Sequence, residues 1–108
     1  MKVRHIKQSG GSLTIDRVYE VIGIEANSYR IINDDDSPCL YESSHFETVE
    51  TSEPEFWVSE FGSDGERYAY PKEWNRLGFF EDFHDNVQGV VNQFWHECYQ
   101  FYGISRGV

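Results

Sequence analysis

The hydrophobic periodicity changes once along this chain of 108 residues, and the change limits the fold classes open to it. Up to about residue 70, apolar residues recur in short alternating runs, which are typical of strands that bury one face. From Phe79 onward they recur at steps of three and four residues, the spacing of an amphipathic helix. The sequence therefore predicts the α+β class, with strands first and one C-terminal amphipathic helix.

Residues that favour turns separate the alternating runs. We predict strands at residues 3–6, 18–24, 29–32 and 39–41, and residues 33–38 gather the Asn, Asp, Ser and Pro that favour turns for specific backbone reasons. Short strands about ten residues apart predict a small barrel or sandwich.

Three segments of this region resemble a known family. They are Tyr-Glu-Val at 19–21, Tyr-Arg-Ile-Ile-Asn-Asp at 29–34 and Cys-Leu-Tyr-Glu-Ser-Ser-His-Phe-Glu-Thr-Val at 39–49. They resemble strands of a bacterial SH3-like barrel, and the last is similar to the end of such a domain, where a strand meets a one-turn 3₁₀ helix and a short final strand. The resemblance covers about residues 1–50 and implies a small SH3-like β-barrel. The segment with which eukaryotic SH3 domains hold proline-rich peptides has no counterpart here, so that ligand is not implied.

The remaining residues predict additions to this barrel within a single domain, 1–108. Asp64-Gly65 between two aromatic-rich runs predicts an added β-hairpin at 56–70, which Pro71 ends. Residues 79–103 are predicted as a helical segment, with Asp85 or Asn86 as the cap of its main helix and Gly103 at its end. Residues 78–85 also resemble a motif that recurs in small bacterial proteins of no assigned activity.

The charge of the chain is strongly negative and unevenly placed. The formal net charge is −10, and no Lys or Arg lies between Arg30 and Arg67, where Asp and Glu are frequent. Direct binding to nucleic acid is disfavoured because phosphate contacts depend on basic side chains, whereas a basic protein partner is attracted. We find no apolar run that suggests a membrane span or a secretory signal. With Cys39 and Cys98 expected as reduced thiols, we predict a cytoplasmic protein.

Candidate binding residues come from the acidic window and from the tryptophans. Asp34, Asp35 and Asp36 are predicted to form an acidic hairpin tip, and they lack the spacing of a calcium-binding EF-hand loop. Surface tryptophans often anchor protein interfaces, so Trp57, Trp74 and Trp95 are added as candidates, with burial in the core as the alternative. Of these three, we expect Trp74 and Trp95 to be partly exposed.

Glu81, Asp82, His84 and Asp85 form a second polar cluster. On a helix, Glu81 shares a face with His84 or Asp85, a relation that metal sites use. The alternative is that acidic side chains stabilise the start of a helix. No other motif suggests catalytic, cofactor-binding or metal-binding residues.

These observations leave three hypotheses of function. The first is a non-enzymatic acidic protein-binding module, of the immunity, inhibitor or phage-accessory type, that engages a basic partner. The second is a small metal-dependent enzyme that uses the Glu81/His84/Asp85 cluster. The third is a structural or regulatory domain without a dedicated ligand, monomeric or weakly dimeric through the hairpin edge. No cofactor is predicted under the first and third hypotheses.

Overall fold

Strands come first and helices last, as the change of periodicity predicts. The computed structural model describes residues 1–8 and 11–107. Within them the strands are β1 (Lys2–His5), β2 (Val18–Glu20), β3 (Gly23–Glu25), β4 (Ser28–Ile32), β5 (Pro38–Glu42), β6 (Phe46–Glu50), β7 (Trp57–Phe61) and β8 (Arg67–Pro71). The α-helices are α1 (Phe79–His84) and α2 (Gln88–Tyr102), and one-turn 3₁₀ helices lie at Ser43–His45 and Lys72–Trp74. The α+β class is confirmed.

The chain divides into two units, Met1–Asn75 and Arg76–Val108. All the strands described above lie in the first unit, where they form two antiparallel sheets. One sheet has the order β2-β1-β6, and the other has the order β5-β4-β3-β8-β7. The strand ladders of the described residues do not close into a barrel, so the predicted closed barrel is not observed.

The strand predicted at 18–24 is in fact two strands that belong to different sheets. The Val21 N–H donates to the Met1 carbonyl at 2.9 Å, whereas the Ile22 N–H donates to the Arg30 carbonyl, also at 2.9 Å. Val21 and Ile22 are both fully buried, which interrupts the alternation of a strand with one exposed face. The chain therefore passes from one sheet to the other at these two residues.

Both sheets contribute to one apolar core in the first unit. Its buried members are Val3, Leu13, Tyr19, Val21, Ile31, Phe46, Trp57 and Ala69. Burying each large apolar side chain stabilises the fold by about 1.5–3 kcal/mol, so this shared core is the main term that holds the two sheets together.

The strands β7 and β8 pair antiparallel around the turn at residues 62–66. Their register runs from Trp57 opposite Pro71 to Phe61 opposite Arg67, and Gly65 adopts the left-handed conformation at φ 80°. β8 also pairs with β3, with Ala69 opposite Ile24. The hairpin thus extends the sheet by two strands and leaves β7 at its edge.

The second unit contains two α-helices, so the prediction of one C-terminal helix is wrong. Asn86 adopts the left-handed conformation at φ 60°, and its N–H donates to the Phe83 carbonyl while that of Val87 donates to the Asp82 carbonyl. These bonds form a Schellman motif, which ends α1. Asn86 therefore terminates one helix rather than capping the next. The predicted end of the main helix at Gly103 is confirmed, at φ 68°.

Aromatic rings join the two helices. The Phe94 ring of α2 lies 5.1 Å from the Phe83 ring and 5.9 Å from the Phe80 ring, both at edge-to-face angles that aromatic pairs favour. Phe94 is fully buried. Neither helix in the described part of the chain combines the length and the apolar character that crossing a membrane requires.

Candidate protein-binding surface

Asp34, the first of the three predicted binding aspartates, lies in the turn between β4 and β5 and is held by three side chains. Its Oδ2 accepts from the Thr14 hydroxyl at 2.7 Å, and its Oδ1 accepts from Arg17 Nη1 and from the Tyr19 hydroxyl, both at 2.8 Å. The Asp34 N–H donates to the Ser12 carbonyl at 2.8 Å. Asp34 therefore fastens the β4–β5 turn to residues 12–19.

These bonds also set the charge state of Asp34. Burial acts to raise the pKa of this carboxyl, but the hydrogen bonds from Thr14 and Tyr19 and the positive charge of Arg17 outweigh it and lower the pKa. The carboxylate is ionised at neutral pH, and its charge is met by the segment it holds. Its role is structural, and it is not the free carboxylate that a basic partner needs.

The neighbouring aspartates complete the same turn. The Asp35 carboxylate accepts the Ser12 hydroxyl, and the Asp35 N–H donates to Asn33 Oδ1 at 2.9 Å, which is an Asx turn. Asp36 adopts the left-handed conformation at φ 59°. Among the described residues, the Asp36 carboxylate makes no side-chain hydrogen bond, so of the three predicted residues it is the one with an uncommitted charge.

The tryptophans differ in exposure. Trp57 begins β7 and belongs to the apolar core at 9% exposure. Trp74 is 1% exposed, so the prediction that it lies partly at the surface is wrong. The 3₁₀ turn that follows β8 exposes Lys72 and Glu73 and buries Trp74 as its third residue. Trp95 is half-buried, as predicted, with its ring 5.1 Å from that of Phe94.

The polar cluster of the second unit does not form a set of metal ligands. Glu81, His84 and Asp85 are exposed at α1 and its C-terminal end, and Asp82 pairs with Arg76 at 3.3 Å. In the part of the chain that the structure describes, no group of three or more His, Cys, Asp or Glu side chains is placed to hold a metal ion. The metal-enzyme hypothesis therefore lacks its ligand set there.

A different stretch, from β6 through the linker to β7, combines charge with exposed apolar side chains. Val49 is 48% exposed, Val58 42% and Phe61 69%. We call the following exposed side chains the acidic strip: Val49, Glu50, Glu55, Phe56, Val58, Glu60 and Phe61.

Two other glutamates of this stretch are neutralised by arginines. Glu47 pairs with Arg4 at 2.7 Å, and Glu53 accepts two bonds from Arg67, at 2.9 and 2.5 Å. The hydrogen bonds from Arg67 lower the pKa of Glu53, and those same bonds raise the pKa of Arg67. This bidentate pair fastens the linker to β8.

The glutamates of the acidic strip differ from this pair. Within residues 1–8 and 11–107, Glu50, Glu55 and Glu60 take part in no ion pair. Their charges therefore act on the surrounding solvent.

Arg30 carries a buried polar network that sequence reasoning missed. It is 7% exposed; its Nη2 donates to Glu25 at 2.7 Å, its Nε to the Tyr70 hydroxyl at 3.0 Å, and its Nη1 to the Pro38 carbonyl at 2.9 Å. Tyr70 in turn donates to Glu25 at 2.6 Å. The sequence signal for this network was Arg30 itself, a charged residue among the apolar residues of the strand predicted at 29–32. The network ties β3, β4, β5 and β8 together.

The acidic strip thus combines glutamates that form no ion pair among the described residues, at 50, 55 and 60, with exposed Val49, Val58 and Phe61. Its chemistry suits recognition of a basic and partly apolar partner, because opposite charge steers the encounter and apolar contact retains it. Compared with protein-family models, with curated proteins and with solved structures, the chain matches none of them.

Proposed function

We propose that this chain is a non-enzymatic, acidic protein-binding module of the immunity, inhibitor or phage-accessory type, and that it engages a basic partner through the acidic strip. The observation that carries this proposal is that Glu60, which forms no ion pair among the described residues, lies on β7 with exposed Val58 and Phe61. Glu50 and Glu55, which precede β7 in the chain, are exposed and form no ion pair there either. A basic protein supplies the missing charges and covers the apolar side chains.

The acidic tip at 34–36 contributes less to this proposal than the sequence suggested. Asp34 and Asp35 are committed to Thr14, Arg17, Tyr19 and Ser12 within the fold. A partner that drew these carboxylates away would also loosen the turn that they hold. Asp36 is the member of this tip that remains available to assist binding.

We also propose that residues 1–50 form an SH3-like domain of a cytoplasmic protein. The support is the order of the elements: β1, then β2 and β3, between which the chain passes from one sheet to the other, then β4, β5, a one-turn 3₁₀ helix at Ser43–His45, and β6. β6 returns to pair antiparallel with β1, with Phe46 opposite His5. This order concerns the fold, and the choice of partner depends on the acidic strip.

The proposal is tested by affinity capture from lysate of the source organism, with elution in salt steps and identification by mass spectrometry. The test variant is Glu55→Lys with Glu60→Lys. The control is Glu73→Lys with Asp85→Lys, which changes the net charge equally at exposed positions outside the strip. We expect the wild type and the control to retain one basic protein at physiological salt and to release it by about 0.5 M, where exposed charges are screened.

The strip variant is expected to lose that protein. If the strip variant and the control retain the same protein equally, binding does not use the strip. If the wild type retains no basic protein in repeated captures, the proposed function is wrong.

A further inference from the structure

The described sheets have four edge strands, and they differ in how well they are protected against pairing with another chain. Natural edges are protected by shortness, by proline, by bulges or by lysine. β2 has three residues, β5 begins with Pro38, and β6 shows a register irregularity against β1. β7 has five residues in regular register with β8 and contains no Pro, Lys or Gly. It is the least protected of these edges.

The hydrogen-bond phase of the hairpin shows which backbone groups of β7 face outward. At the turn, the Gly62 N–H donates to the Glu66 carbonyl at 2.8 Å, so the backbone N–H and carbonyl of residue 62 point toward β8. The direction of these backbone groups alternates along a strand. The N–H and carbonyl groups of Val58 and Glu60 therefore also point toward β8, while those of Ser59 and Phe61 point away from it. Ser59 and Phe61 therefore each present an N–H and a carbonyl at the open edge.

The side chains of β7 define what kind of strand fits beside it. Glu60 and Val58 lie on one face, and Phe61 lies on the other. Residues directly opposite one another in neighbouring strands have β-carbons about 4.5–5.5 Å apart, which is close enough for direct contact. A complementary strand therefore places a basic residue opposite Glu60 and apolar residues opposite Val58 and Phe61.

We propose that β7 is the docking strand for an extended basic segment of the partner protein, which adds to the five-stranded sheet as a further strand. This inference rests on the proposed function and names the mode of recognition. Backbone bonds to Ser59 and Phe61 provide the pairing, and Glu60 provides the preference for a basic segment. A second copy of this chain is a poor occupant, because two molecules of net charge −10 repel each other.

The matched variants for the test are Ser59→Pro and Ser59→Ala. Both remove the hydroxyl that accepts from Arg67 Nε at 2.9 Å. Ser59→Pro also removes the outward N–H, a change that edge strands tolerate because no bond to the neighbouring strand is lost. The pair thus isolates one backbone donor at the open edge.

The probe is a synthetic nine-residue peptide of lysine, valine and threonine, arranged so that pairing with β7 places lysine opposite Glu60 and valine opposite Val58 and Phe61. It is titrated into the ¹⁵N-labelled full chain at about 0.15 M salt, near physiological ionic strength. We expect the peptide to slow hydrogen exchange of the Ser59 and Phe61 amides in the wild type and in Ser59→Ala. Ser59→Pro is expected to bind about tenfold more weakly, as the loss of one interfacial hydrogen bond implies. The same peptide with glutamate in place of lysine is expected not to bind.

The outcomes separate the two proposals. Equal binding by Ser59→Pro and Ser59→Ala, without protection of the Ser59 and Phe61 amides, overturns strand pairing but leaves electrostatic binding by the strip in place. Protection of these amides that grows with protein concentration in the absence of peptide makes a second copy the occupant and also overturns the proposal. Because the exchange measurement uses the wild type, it decides the matter even if Ser59→Pro does not fold.

Discussion

The ring of Tyr70 lies directly against the backbone of Gly23. A β-carbon at residue 23 would lie 2.0 Å from Cε1 and 2.3 Å from Cδ1 of Tyr70, closer than any real contact. Tyr70 is 3% exposed, and its hydroxyl is held by Glu25 and Arg30. Because the ring has no room to move, β3 requires glycine at this position.

Replacing Gly23 with alanine is expected to destabilise the protein by about 3 kcal/mol or more, since the new methyl group overpacks a rigid site. Gly89→Ala is the matched control. A β-carbon at residue 89 meets no atom within 4 Å, and alanine in a helix is more favourable than glycine by up to about 1 kcal/mol. Urea unfolding measures both variants. A Gly23→Ala variant as stable as the wild type would contradict this packing.

Tyr70→Phe is expected to cost about 1–3 kcal/mol, because Arg30 and Glu25 each lose a buried hydrogen-bond partner. The substitution also changes how the free energy of unfolding falls at alkaline pH. Burial raises the pKa of Tyr70, so the folded state resists ionisation while the unfolded state ionises above about pH 10. The wild type therefore loses stability as the pH rises beyond that value, and Tyr70→Phe loses less.

The measurement is urea unfolding between neutral pH and about pH 11, on either side of the ordinary tyrosine pKa. Tyr99→Phe serves as the control, since Tyr99 is 62% exposed. If the free energy of unfolding falls equally with alkaline pH in Tyr70→Phe and in the control, folding does not raise the pKa of Tyr70.

Asp34→Asn is expected to destabilise the protein at neutral pH by about 1 kcal/mol, a value reduced for the partial exposure of this ion pair. The lowered pKa of Asp34 means that its contribution is complete above about pH 4 and is lost as the pH falls through the native pKa. The variant should therefore lose less stability in acid than the wild type. Unfolding at several pH values checks this.

Asp36→Asn is the control for that experiment. Asp36 makes no side-chain hydrogen bond among the described residues, and asparagine tolerates its left-handed backbone. A change within about 0.5 kcal/mol is expected. If both variants show the same acid dependence, Asp34 is not the group that couples folding to protonation.

Phe94→Ala is expected to cost about 3–5 kcal/mol, because it leaves a cavity among buried aromatic rings in the second unit. Phe94→Leu keeps most of the volume and should cost clearly less. Thermal and urea unfolding of the full chain measure both. A loss below about 1 kcal/mol for Phe94→Ala would remove this residue from the core.

Local chemistry explains which parts of the fold were predictable. The turn at 33–37, the hairpin at Asp64-Gly65 and the helix end at Gly103 depend on residues with strong backbone preferences, and the sequence displays those directly. Asn86 was wrongly predicted as the cap of the main helix. Asparagine is common both at the start of helices and in the left-handed conformation that ends them, and Asn86 adopts the latter. The passage between sheets at 21–22 was hidden, since two adjacent buried residues also fit one continuous strand.

The candidate site was less predictable than the fold for a physical reason. The aspartates at 34–36 were conspicuous in sequence, yet the partners of Asp34 lie 15 to 20 residues away, and Asp35 meets Ser12 at a separation of 23. Glu50, Glu55 and Glu60 are also acidic residues, but within residues 1–8 and 11–107 they form no ion pair. Only the three-dimensional arrangement distinguishes a carboxylate that is satisfied from one that is available.

The position of β8 between β3 and β7 has a consequence for how this protein matures as it is synthesised. Glu25 leaves the ribosome 45 residues before Tyr70, the residue that completes its buried network. Until then β3 is an open edge, and Arg30 and Glu25 lack their phenolic partner. The first unit therefore completes its five-stranded sheet only after residues 67–71 have been synthesised. A translation product that stops before residue 67 leaves β3 as an unpaired edge, and unpaired edges promote aggregation.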